Sequence, residues 1–261
     1  MYLYKNIIMI SRNKISLGLL DDTIKYADFL ALKEKVDLHQ LDLKKIHQVN
    51  FPDYQYYRKQ TKKDKIVLHH TVSGQGVEGD INWWLTTTAR IATHIIIDWK
   101  GEIYQCYSSK YWAHHLGVHA QNNRELNKTS IGVEIDSWGG LVRYNRNWYP
   151  AIWSSQVKKY VPITTMHPIP KENVFEIPEG YRGFYGFEKY TNEQLISLEK
   201  LLIYWHNRYG ISLKYNENMW DVNEDALSGK PGIWTHTSFR QDKSDCYPDP
   251  RLIGLLKSFK E

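Results

Sequence analysis

The stretch KIVLHHTVS, residues 65–73, runs three consecutive aliphatic residues into two adjacent histidines. A short continuous apolar run ending in polar residues reads as a buried strand. Neighbouring side chains on a strand point to opposite faces, so Val67 and His69 share one face while Leu68 and His70 share the other. The two histidines therefore cannot both reach one metal ion, and one ligand at most is expected here. The alternative is one buried, hydrogen-bonded histidine beside an exposed one.

Working outward from this strand, THIIIDWKGEIYQCY (93–107) reads as two strands about a turn at Trp99–Glu102, and TSIGVEID (129–136) as another strand. DINWWLTTTAR (80–90) suggests a short helix or turn. TNEQLISLEKLLIYWHNRYG (191–210) is the plainest helix: Thr191 and Gln194 suit a capping box, Leu195, Leu198, Leu202 and Trp205 form a stripe, and Gly210 stops it. Residues 137–190, rich in Trp, Tyr, Pro and Gly, are too long for a simple loop and are expected to be an insertion that walls a groove. On the N-terminal side, 21–36 has helical spacing, 38–49 suggests a second short helix, and 50–65 reads as a polar, Tyr-rich linker. Residues 1–58 are thus expected to be an N-terminal extension, and 59–261 the main domain.

The chain has 261 residues, enough for a full core, and carries a net charge of +5 with a pI of about 8.9. A mild positive excess favours polyanions without choosing among nucleic acid, anionic lipid and cell-wall polymers. No nucleic-acid motif or basic helix is present, so no nucleic-acid partner is expected. Cys106 and Cys246 are the only cysteines, too few for a disulfide framework. The N-terminus is a poor signal peptide, and no apolar run reaches the ~18 residues of a membrane span.

Two further segments could carry chemistry. In GIWTHTSFRQDKSDCYPDP (232–250), His236 follows an apolar strand, with Asp245 and Cys246 nine and ten residues on. Catalytic zinc usually keeps three protein ligands, and one histidine of the 69–70 pair, His236 and either Asp245 or Cys246 would supply them. In SIGVEID, Glu134 lies mid-strand on the face of Gly132 and Asp136. Such a carboxylate is either paired or water-facing, or it serves as a general base. Lys243 is either a solvated charge or a stabiliser of a developing oxyanion.

The order IVLHHT, ATHIIIDWKGEIYQCY, YWAHHLG, SIGVEID, TNEQLISLEKLLIYWHNRYGI and WTHTSFRQDKSD resembles the type-2 family of zinc-dependent N-acetylmuramoyl-L-alanine amidases over about residues 64–256. That family includes phage endolysins, recycling amidases that cut soluble muropeptides, and peptidoglycan recognition proteins. The resemblance implies an α/β fold with a central mixed sheet flanked by helices and zinc in a surface groove. It implies cleavage of the amide between N-acetylmuramic acid and L-alanine in peptidoglycan. By it, His69 and His236 are zinc ligands. Asp245 is the third, because Lys243 and Ser244 match the family frame, with Cys246 as the alternative. Glu134 and Lys243 would be catalytic, and His94, Trp112 and His114 would line the groove. A phage-type endolysin, made in the host cytoplasm, acting as a monomer and reaching the wall after release, fits the charge and the N-terminus. A recycling amidase or a non-catalytic recognition module is the alternative.

Overall fold

The computed structural model describes residues 41–259. Its organising element is a six-stranded mixed sheet built from β1 (His47–Gln48), β2 (Lys65–His70), β3 (Ile95–Ile97), β4 (Ile103–Gln105), β5 (Ser130–Ile135) and β11 (Gly232–Thr235). The spatial order is β1-β4-β3-β5-β2-β11, antiparallel only between β3 and β4. β2 and β5 are buried along their full length. Parallel strands covered on both faces need continuous apolar runs, and Ile66–Leu68 and Ile131–Val133 supply them around Gly132.

Helix α3 (Asn192–Tyr209) covers one face, with Leu195, Leu198, Leu202 and Trp205 buried. Its capping box is formed: Gln194 N donates to Thr191 Oγ1 at 3.1 Å, and Thr191 N to Gln194 Oε1 at 2.8 Å. Gln194 Nε2 also donates to the Asp136 and Ile97 carbonyls, tying the helix start to the ends of β5 and β3. Gly210 ends the helix in the left-handed region, φ +68°. Helix α5 (Pro250–Ser258), capped by Asp249, packs Leu252, Leu255 and Leu256 into the same core. The short helices are α1 (Glu78–Leu85), α2 (Asn123–Thr129) and α4 (Glu224–Ser228).

Residues 140–188 form a second, antiparallel sheet in the order β8-β7-β6-β10-β9. Its strands are β6 (Gly140–Tyr144), β7 (Asn147–Ser154), β8 (Lys159–Pro162), β9 (Val174–Tyr181) and β10 (Phe184–Glu188). Two of its hairpins turn on two residues with positive φ, Asn145–Arg146 and Arg182–Gly183, the geometry that matches strand twist.

The chain before β2 differs from expectation. The helix expected over 21–36 lies outside the described residues. Within 38–49 only Leu43–Lys45 makes a turn of 3₁₀ helix, and His47–Gln48 instead joins the sheet edge. The open edge of β4 takes up this chain: Val49 N donates to the Gln105 carbonyl and Phe51 N to that of Cys106. The segment read as a linker is packed, since Phe51, Gln55 and Tyr56 are buried and Tyr57 bridges to Trp112.

Candidate active site

Parallel pairing sets His69 of β2 directly beside Glu134 of β5, with Ile96 of β3 on Glu134's other side. The register puts all three on one face, opposite α3. β11 runs parallel to β2 and delivers His236 just past its end, in a 3₁₀ turn over His236–Ser238. The chain then loops back to bring Asp245 against both histidines. His69 Nδ1 is 3.1 Å from His236 Nδ1 and 3.2 Å from Asp245 Oδ2, and His236 Nδ1 is 2.9 Å from Asp245 Oδ2. Three ligand-type atoms therefore lie within 4.8 Å of one another on buried residues, a cluster that could hold a metal ion.

The hydrogen-bond network tests that fit. Leu126 O can only accept, and Ser130 Oγ donates its single proton there at 2.7 Å. Ser130 Oγ must then accept from His115 Nε2 at 2.8 Å, which leaves His115 Nδ1 bare. That atom accepts from His69 Nε2 at 3.0 Å, so His69 Nδ1 is also bare. Independently, His236 Nε2 donates to the Leu116 carbonyl at 2.9 Å, leaving the lone pair of the neutral ring on Nδ1. In the tautomers that this network selects, two lone pairs and a carboxylate oxygen thus face each other, an arrangement that suits a cation.

The electrostatics agree. Burial pushes His69 down to about 4, with His236 adding to it. Burial also holds His115 well below the usual imidazole range. Burial works against ionisation of Asp245, and positive charge on the side of His236 and His69 holds its carboxyl well below the usual range, a charge that a cation supplies when both rings are neutral. Glu134 is the opposite case: burial first, then Asp245 and Asp80, push it well above the carboxylate range, opposed by Lys243. Glu134 Oε2 is buried and finds no hydrogen-bond partner among the described residues.

A cavity of about 660 Å³ opens over these groups, and its walls include His69, His115, Glu134, His236, Lys243 and Asp245. Trp83, Val72 and Ile91 stand exposed on its rim, and Gly140, Ala151, Tyr160 and Phe184 of the second sheet close the far side.

Other sequence candidates lie elsewhere. Cys246 is fully buried in the core with its thiol against Tyr190, so Asp245, not Cys246, joins the cluster. His70 points away: its Nδ1 meets the Tyr190 hydroxyl at 3.0 Å, and its ring fills the space a side chain at Gly139 would need. The three residues expected to line the groove are not among the cavity walls. His94 is fully buried, accepting from Gly132 N and donating to Tyr111 O, and so staples β5 to the loop before Trp112. Trp112 is buried and stacked on Tyr57 at 3.9 Å, and His114 lies edge-on to both rings. That motif contributes His115 to the cavity instead, and α1 contributes Asp80, whose carboxyl burial pushes up to about 7; neither residue is among the sequence candidates. Room for His115 comes from Gly132, where a Cβ would stand 2.9 Å from His115 Nδ1.

The family model for N-acetylmuramoyl-L-alanine amidase matches residues 59–250. The chain belongs to that family. The amidase is also similar to several solved structures. One is the N-acetylmuramoyl-L-alanine amidase LysC from Clostridium intestinale URNW, 16% identical, covering 81% of this chain and 97% of that one with a TM-score of 0.41. Another is the Staphylococcus aureus hydrolase AmiA in complex with its ligand, 13% identical, covering 89% and 88% with a TM-score of 0.47. A third is a mutant endolysin from Bacillus subtilis, 16% identical, covering 80% and 97% with a TM-score of 0.43. No curated protein sequence matches the chain. Among the described residues of the amidase, no helix is long and apolar enough to cross a membrane.

Proposed function

We propose that the amidase uses zinc held by His69, His236 and Asp245 to hydrolyse the bond between N-acetylmuramic acid and L-alanine in peptidoglycan. The observation that carries this is the convergence of two bare imidazole nitrogens and an ionised carboxylate beside Glu134 in an open cavity. Zinc, when bound, supplies Lewis acidity and lowers the pKa of water toward neutrality. Glu134 Oε2, with no other partner, takes the proton from the attacking water and returns it to the departing L-alanine nitrogen. Burial pushes this carboxyl up, and a cation held by His69, His236 and Asp245 would act against that push. The Lys243 ammonium, half-buried on the cavity wall, stabilises the oxyanion of the tetrahedral intermediate.

We further infer that intact wall, rather than soluble muropeptide, is the substrate, in the manner of a phage endolysin. The net charge of +5 supports this, because anionic walls attract cations. The resemblance of Glu134 to the catalytic carboxylate of the recycling branch favours the recycling-amidase reading instead. A non-catalytic recognition module is the weaker reading, since a third ligand is available in Asp245. Mass spectrometry of digested peptidoglycan, with and without chelator, tests the proposal. New L-alanine amino termini should appear only with metal. New reducing sugar ends would overturn the reading in favour of a glycosidase.

A further inference from the structure

Residues 137–190 hold seven Lys and Arg against four Glu, a net of +3 out of the chain's +5. Twelve of these 54 residues are aromatic, well above the chain's 14%. Seven of the fourteen large apolar side chains exposed among the described residues also lie here. A surface patch of this kind is a binding surface more often than chance packing. Three of the seven, Trp153, Tyr160 and Tyr185, line one cleft of about 830 Å³ together with Arg143, Lys158 and Lys159. Trp153 is 54% exposed and Tyr185 60%.

The cleft is continuous with the catalytic cavity, because Tyr160 and Phe184 line both. Three rings lead from one to the other: Trp153 to Tyr160 at 5.3 Å between centroids, then Tyr160 to Phe184 at 4.6 Å. Aromatic faces offer flat apolar area to the C–H faces of sugar rings, while Lys158, Lys159 and Arg143 complement carboxylates. A single muropeptide presents one lactyl–L-alanine amide to the catalytic cavity. A chain of sugars bearing acidic stem peptides continues beyond it.

From this we infer that the second sheet is a glycan-strand site, binding the peptidoglycan sugars next to the unit whose amide is cut. The inference rests on the peptidoglycan reading above and makes the enzyme selective for polymer over soluble fragments. Trp153→Ala and Tyr185→Ala test it, because both side chains are mostly in solvent and neither lines the catalytic cavity. Each variant is sedimented in EDTA with sacculi stripped of covalently attached anionic polymers, and each is assayed with zinc on a soluble monomeric muropeptide. The concentration for half-maximal binding to sacculi should rise about fivefold, the loss of one good stacking contact. The rate on the soluble substrate should stay within about twofold, as for independent sites. Unchanged sedimentation overturns the inference, as does a parallel loss on the soluble substrate. Binding seen only with sacculi that keep their anionic polymers also overturns it and assigns the cleft to those polymers. If the wild type cleaves neither substrate, the amidase reading fails, and sedimentation in EDTA still decides the fate of the cleft.

Discussion

The chain contains two His-His pairs, at 69–70 and 114–115, and each sends one ring to the reaction face and one away from it. Strand alternation showed that the first pair must divide but not which member goes where. For the first pair the family frame picked His69. For the second it pointed to His114, whereas His115 faces the cavity because Asn127 Oδ1 accepts from the backbone N–H groups of His115 and Leu116 and sets that loop. The link from Leu126 through Ser130 and His115 to His69 could not be read in sequence, since its four members come from three separate segments. Removing His115 should leave the His69 ring free to rotate, and His115→Ala should weaken zinc binding by about 10–100-fold. His70→Ala should leave zinc binding intact and cost about 1–3 kcal/mol of stability by removing one hydrogen-bond partner of the Tyr190 hydroxyl and opening a buried space. Chelator competition and denaturant melts of both variants separate the roles; equal zinc affinity in His115→Ala and wild type would sink the first.

At the scale of elements, β2, β5 and α3 were legible because their signals are local: an apolar run, a strand with one misplaced carboxylate, a capping box followed by a stripe. The edge strand β1 was not, because two residues pair only when an open sheet edge is there to receive them. The second sheet left its mark in the Arg182–Gly183 turn, but strands of mixed Trp, Tyr and Pro have no clean alternation to display. Helix α5 was announced by Asp249 before Pro250, a cap and first-turn pair that had passed unread. Within β5, Gly132 acts through its missing side chain. Gly132→Ala is compatible with a strand backbone but collides with a ring held at both nitrogens, so His115 must give way. Zinc affinity should fall about tenfold, with far-ultraviolet circular dichroism unchanged. An unaltered affinity would show that the ring has room to move.

Across the whole molecule, the sheet that holds the core also carries an expensive cation. Lys63 is 2% exposed, and its ammonium donates to the Lys128 and Ser130 carbonyls at 2.8 and 2.9 Å. Burial, with Lys65 adding to it against the pull of Asp64, brings it down from 10.5 to about 7. Between those two values the unfolded chain holds a proton that the fold does not. Stability therefore rises with pH across that window, by at most about 1.4 kcal/mol per pH unit from this group. Lys63→Met removes the difference. Urea melts of wild type and variant between about pH 7 and 8.5 should show a steeper rise in the wild type. Parallel slopes would mean that Lys63 stays charged in the fold.

The two thiols, walled in on opposite sides of the sheet, amount to a pair of built-in clocks. Cys106 is 1% exposed and Cys246 is fully covered, and burial raises both pKa values. Neither can meet an alkylating reagent until its own surroundings open, so the rate of modification measures how often each side of the molecule breathes. Cys246 adjoins Asp245, and anything that fastens Asp245 to the two histidines should slow that clock while leaving Cys106 on time. Mass-resolved labelling, with zinc added or withdrawn, reads both at once, and equal slowing would mean that the whole chain opens as one unit.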